Sequence, residues 1–165
     1  MNIHDSMKKR RLSSLLIDRI MLVADELFTN VIFNSPETLK ANRPRTDAIP
    51  LTTEQEASIS IGINQDQIFV CCRDSFGTLD VKKFLERISQ CLSDGVRDSI
   101  QLDEEGGAGI GSFLMFEFAS SMVIGVQKNK QTLIGFTFPT DRRSLIRPRN
   151  AKSIHIDSKN GGGSV

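Results

Sequence analysis

The chain has 165 residues, 39% hydrophobic and 25% charged, with a formal net charge of +1. That size suits one domain with a substantial core. The balanced charge excludes a wholly basic nucleic-acid binder, though not a local basic patch.

Trp and Tyr are absent, so ten Phe supply every aromatic ring. No apolar run approaches the roughly 20 residues needed to cross a bilayer. The stretch LSSLLIDRIMLVADEL, after the basic residues Lys8 to Arg11, is broken by Asp18, Arg19 and Asp25, charges that a secretory signal does not tolerate. A cytoplasmic protein without membrane attachment is expected. Cys71, Cys72 and Cys91 are odd in number, and the adjacent pair sits in an apolar strand pattern. They read as buried reduced thiols rather than as a disulfide or metal site. His4 and His155 lie near the two ends, which leaves no base for zinc, Ser/His or Cys/His chemistry.

In chain order, residues 1–9 are polar and read as a frayed N-terminus. From about Arg10 to Asn34, the spacing of Leu12, Leu16, Ile20, Val23, Leu27 and Val31 predicts a helix with one buried face. Asn34-Ser35-Pro36 ends it. Residues 37–56 carry two prolines and no periodicity, and read as a long functional or mobile loop. Ile59, Ile61 and Ile63 alternate with small residues, and IFVCCR (68–73) follows a four-residue turn, a hairpin leading into a buried strand. A second helix is expected over Val81 to Leu92, and Gly95 to Glu105 is polar and irregular. A glycine cluster, Gly106-Gly107-Ala108-Gly109-Ile110-Gly111, then enters a third helix, SFLMFEFAS. MVIGVQ (122–127) and TLIGFTF (132–138) flank Lys128-Asn129-Lys130-Gln131 as a second hairpin. Beyond Pro139, five Arg or Lys face one Asp over residues 141–153. The stretch 141–165 reads as a basic, flexible tail to a domain spanning 10–140. The expected fold is α+β, a two-layer α/β sandwich with a mostly antiparallel sheet and about three helices on one face.

Three constellations bear on chemistry. Glu26, Asn30 and Asn34 fall at i, i+4 and i+8, beside the apolar stripe of the first helix. A carboxylate and a carboxamide one turn apart are hard oxygen donors that Mg²⁺ accepts, although from the triplet alone a solvated helix border is the simpler reading. Glycines at 107, 109 and 111 entering a helix let backbone N–H groups approach an anion. The run is neither a Walker A loop nor a dinucleotide fingerprint, and such runs also serve as plain turns. Asp74, in CRDSFGTLD directly after a buried strand, can accept a hydrogen bond from a ligand amine such as that of adenine. It can equally form a turn or a cap.

Taken in order, Glu-x-x-x-Asn on an N-terminal helix, Asp-x-x-Gly after a strand and Gly-x-Gly-x-Gly opening a later helix resemble one superfamily. This is the GHKL, or histidine-kinase-like, ATPase superfamily, which includes histidine kinases, DNA gyrase, a heat-shock chaperone and anti-sigma-factor serine/threonine kinases. The resemblance covers about Leu12 to Pro139 and implies the Bergerat ATP-binding fold. It implies Glu26 as general base, Asn30 as Mg²⁺ ligand and Asp74 as the aspartate that reads adenine, with Gly77 shaping its turn. It also implies Gly107, Gly109 and Gly111 as the phosphate loop, Thr132 as a support for adenine, and residues 92–106 as a short lid. Phe76 stands where the motif usually has its first glycine, Asn34 where histidine is frequent, and the usual glycine before Thr132 is missing.

There is no room for the dimerisation helices and phosphoacceptor histidine of a histidine kinase, nor for the extra domains of the gyrase and chaperone members. The chain is therefore most similar to the anti-sigma-factor kinases of bacterial signal transduction. That resemblance implies ATP or ADP with Mg²⁺, and transfer of the γ-phosphate to a serine of a partner protein, or sequestration of that partner. The partner would be a sigma factor, an anti-anti-sigma protein or another signalling protein, and a homodimer is implied by analogy. The alternative is a nucleotide-sensing interaction module that transfers nothing. The basic stretch (Arg142, Arg143, Arg147, Arg149, Lys152) reads as a solvated charge run, and nucleic acid is not an expected partner.

Overall fold

The structure, a computed structural model, describes residues 12–33, 57–95, 110–141 and 152–159. Within them lie three helices, α1 (Ser14–Phe33), α2 (Val81–Asp94) and α3 (Gly111–Phe118). Five strands accompany them: β1 (Ala57–Ile63), β2 (Gln67–Asp74), β3 (Ser121–Gln127), β4 (Gln131–Pro139) and β5 (Ser153–Lys159). The sheet order is β1-β2-β4-β3-β5, antiparallel throughout except for the parallel β3–β5 pair. The fold is α+β, a two-layer sandwich of helices on an open sheet. No helix among the described residues is long and apolar enough to cross a membrane.

Helix α1 starts at Ser14 rather than Arg10 because Ser13 caps it. The Leu16 N–H donates to the Ser13 hydroxyl at 3.3 Å, and Ser13 C=O accepts from Ile17, which satisfies donors that a helix start leaves orphaned. Leu16, Ile20, Val23, Leu27 and Val31 are all buried. They meet an alternating row from β2 (Ile68, Val70, Cys72), β4 (Phe136, Phe138) and β3 (Met122, Ile124) in one core. Register builds that row: Val70 lies opposite Phe136, and Phe136 opposite Met122. The period of two then turns every second residue toward the helices.

Helix α2 begins at Asp80, whose carboxylate accepts from Lys83 N–H at 3.0 Å. It buries only Ile88 and Cys91. Helix α3 packs with both other helices and buries Phe113, Met115 and Phe116.

Residues 153–159, assigned above to a flexible tail, form β5 and extend the sheet past residue 140. Lys152 fastens this strand. Its ammonium donates to the carbonyls of Phe116 (2.9 Å) and Glu117 and to the Glu117 carboxylate (3.2 Å), and lies 4.9 Å from the centre of the Phe116 ring. A cation on the last carbonyls of α3 satisfies them and complements the helix dipole. Burial pulls the Lys152 amine below its ordinary pKa, and Glu117 partly offsets this. The frayed start (1–9), the loop 37–56, the lid beyond Gly95, Gly107 and Gly109, Asn34, and the arginines at 142, 143, 147 and 149 lie outside the described residues.

Candidate functional site

Asp74 is the last residue of β2 and stands opposite Thr132 in β4. Its Oδ1 accepts three backbone N–H groups, from Phe76 at 2.8 Å, Gly77 at 3.3 Å and Thr132 at 3.3 Å. The turn-forming reading of Asp74 therefore holds, and it is compatible with a second role because Oδ2 accepts none of these bonds. A carboxylate has acceptor sites on both oxygens.

Gly77 has φ +61°, and a Cβ there would overlap the Gln127 carbonyl and the amides of Asn129 and Lys130. Only glycine fits. Its carbonyl accepts from Asn129 N–H at 3.1 Å, which joins the β2 turn to the β3–β4 turn. Asn129 takes φ 59°, the left-handed role that asparagine tolerates in turns, at the hairpin where the resemblance expects a glycine. Phe76 needs no glycine freedom, since Asn129 alone among the described non-glycine residues has positive φ. What the turn requires of position 76 is its N–H.

A small solvent-connected cavity of about 40 Å³ opens above this turn. Leu27, Val31, Phe76, Leu79 and Ile134 wall it, Thr78 and Cys72 contribute, and Asp74 and Thr132 supply the buried polar groups. Asn30, half-buried, also lines it. The Thr132 side chain is 3% exposed, and its Oγ1 is the one buried side-chain oxygen among the described residues without a hydrogen-bond partner. Such an orphan costs about 1–3 kcal/mol.

Asn30 connects the cavity to a second cluster. Its Nδ2 donates to Glu26 Oε1 at 3.4 Å. Because an ionised carboxylate only accepts, this fixes the amide orientation and leaves Asn30 Oδ1 as a free acceptor. The Glu26 carboxylate lies against Gly111, the first residue of α3, so closely that a Cβ at 111 would overlap it. Ile110, at the N-cap of α3, offers no side-chain cap. A negative charge at that helix start meets the positive end of the dipole.

The structure thus brings Glu26, Asn30 and Gly111 together at one end and Asn30, Asp74 and Thr132 at the other. Gly77 sits behind Asp74 rather than in the cavity wall, and Gly107 and Gly109 fall outside the described residues. Leu79, Thr78 and Ile134 were not singled out in the sequence. The only sign of Leu79 was its place between the Gly77 turn and the Asp80 cap.

Among the described residues no group of three His, Cys, Asp or Glu could hold a metal ion. Mg²⁺ would fit here only as a partly hydrated ion that takes Asn30 Oδ1 and draws its other oxygens from water and a phosphorylated ligand. Cys72 is no nucleophile. Burial, with Asp74 and Cys71 adding to it, pushes its thiol up to about 12, and the thiolate is the reactive form.

No protein-family model, curated protein or solved structure matches this chain.

Proposed function

We propose that the cavity binds the adenine ring of ATP or ADP, with the phosphates directed toward Asn30 and the start of α3. In this reading Asp74 Oδ2 accepts from the exocyclic amine, Thr132 Oγ1 donates to or accepts from a ring nitrogen or an ordered water, and Leu27, Val31, Phe76, Leu79 and Ile134 cover the ring faces. Asn30 would help hold Mg²⁺ on the phosphates and the Gly111 backbone N–H would face them, with Gly107 and Gly109 assigned to the same phosphate loop by the resemblance alone. Glu26 is the general base for a serine hydroxyl of a partner protein, so that the γ-phosphate passes to that serine. The protein then acts in the cytoplasm as a serine/threonine kinase of anti-sigma type on a sigma factor, an anti-anti-sigma protein or another signalling protein.

One observation carries the binding half of this reading. The orphaned Thr132 hydroxyl lies beside a carboxylate with an oxygen to spare, inside a mostly apolar cavity. A flat ring with polar edges answers both needs.

A second reading, nucleotide sensing without transfer, draws on the seat of Glu26. A carboxylate bonded to Asn30 and lodged against the start of α3 is engaged in structure rather than left open to a substrate hydroxyl.

Titration calorimetry with Mg-ATP and Mg-ADP tests the pocket. Asp74→Asn, checked for folding by circular dichroism, should weaken either nucleotide by roughly ten- to hundredfold, the worth of a charge-assisted contact of about 1.5–3 kcal/mol. Unchanged affinity in the folded variant would sink the pocket assignment. Transfer from labelled ATP to a candidate partner, compared with Glu26→Ala, separates the two readings.

A further inference from the structure

Among the described residues, β5 forms one edge of the sheet and pairs only with β3. The side chains of Ser153 through Asp157 are all exposed. Ile154 and Ile156 lie in register with Met122 and Ile124, which are wholly buried, yet they are 40% and 47% exposed. Among the described residues, the helical layer therefore stops short of the last strand and leaves this apolar pair exposed on its side of the sheet. At the opposite edge, the isoleucines of β1 (59, 61 and 63) are partly buried and packed on the core. Proteins normally blunt a bare edge with proline, lysine, a bulge or a covering element; β5 contains no proline, and its one lysine, Lys159, is its last residue.

The sequence of β5, Ser-Ile-His-Ile-Asp-Ser-Lys, is complementary to itself when read antiparallel. If two copies overlap along all seven residues, Ile156 stands opposite Ile156 of the second copy. His155 then stands opposite Asp157 of the second copy, twice by symmetry. A shift of one pair in either direction shortens the ladder; one such shift sets His155 against itself, and the other sets Asp157 against itself. The register with the most backbone hydrogen bonds is thus also the one that sets an imidazole N–H donor opposite a carboxylate acceptor and isoleucine opposite isoleucine. Opposite charges directly across a ladder stabilise it, and like charges destabilise it.

We propose that β5 is a self-association strand. Two copies of this chain join edge to edge about a two-fold axis at Ile156, and two five-stranded sheets become one of ten strands. Such an isologous contact is self-complementary by construction. It is a small interface, below the size class of permanent dimers, so association is weak and concentration-dependent. His155 faces Val123 across the β3–β5 ladder, and on its own strand the neighbouring charge is Asp157.

Sedimentation velocity on the full chain at about 100 μM tests this. The wild type should sediment as a monomer–dimer equilibrium that shifts toward dimer as concentration rises. His155→Asp sets four carboxylates against one another and should weaken the dimer about tenfold or more. The charge swap His155→Asp with Asp157→His should restore it. All these side chains are exposed, so each variant should melt like the wild type. A strictly monomeric wild type under these conditions, a His155→Asp dimer as tight as the wild type, or a swap that fails to rescue would each overturn the proposal.

Discussion

The two ends of the cleft are built by different means. Around Asp74, strand register and backbone do the work: three N–H groups converge on one carboxylate oxygen, and Gly77 and Asn129 lock two turns together. Around Glu26, the geometry rests on side chains, a long 3.4 Å bond from Asn30 and a carboxylate resting on Gly111. The first end is buried and over-determined, while the second is half-buried and adjustable. A site arranged this way recognises with its sheet and adapts with its helices, because a ladder of backbone bonds resists displacement that a rotatable side chain absorbs.

The sharpest way to break the rigid end is Gly77→Ala. Alanine at positive φ costs about 1–2 kcal/mol, and its Cβ meets backbone atoms that cannot rotate away. Chemical denaturation should show a loss of about 2–4 kcal/mol, because the change disturbs the Asp74 turn and the β3–β4 turn at once. Thr132→Val comes next and should divide stability from binding. Removing an unpartnered buried hydroxyl should raise stability of the free protein by about 1 kcal/mol while lowering nucleotide affinity by a similar amount. A melting curve and a calorimetric titration on the same sample read both signs, and a fall in both would mean that the hydroxyl is satisfied in the free protein. The mildest change, Gly111→Ala, probes the adjustable end. The Glu26 carboxylate is the movable partner and swings aside, so stability should change by less than about 0.5 kcal/mol. Adenosine should bind as before, whereas the added affinity of Mg-ATP over adenosine should fall. Equal losses for both ligands would show that the two ends are not separable.

Legibility in the sequence follows the same division. The α1 stripe, the two hairpins and the buried β2 row were readable because a single buried face imposes a period of 3.6 or 2 on the residues that form it. Glu26, Asn30 and Asp74 were readable as candidates, since a polar residue at the border of an apolar stripe or at a strand end stands out. Their meeting was not, because nothing local to residue 26 states that residue 111 closes on it.

Phe76 illustrates a different limit. As a letter it departs from a glycine pattern, but the turn uses its amide and the cavity uses its ring, neither of which a motif encodes. β5 escaped notice because its two isoleucines sit among polar and basic residues, and a parallel partner 32 positions upstream, as Ser121 is to Ser153, leaves no turn chemistry to announce it. The Lys152 ammonium, counted above as one member of a solvated charge run, instead sits on the carbonyls of α3.

That last contact changes what the C-terminal region is worth. Helix α3 is eight residues long, about 12 Å from end to end. One terminus abuts Glu26 and the other is plugged by Lys152. A shortened version that stops before residue 152 does not merely shed a tail; it unplugs the far terminus of the helix whose near terminus seats the cleft carboxylate. An assay of such a truncated protein would report on the cleft as much as on the missing strand.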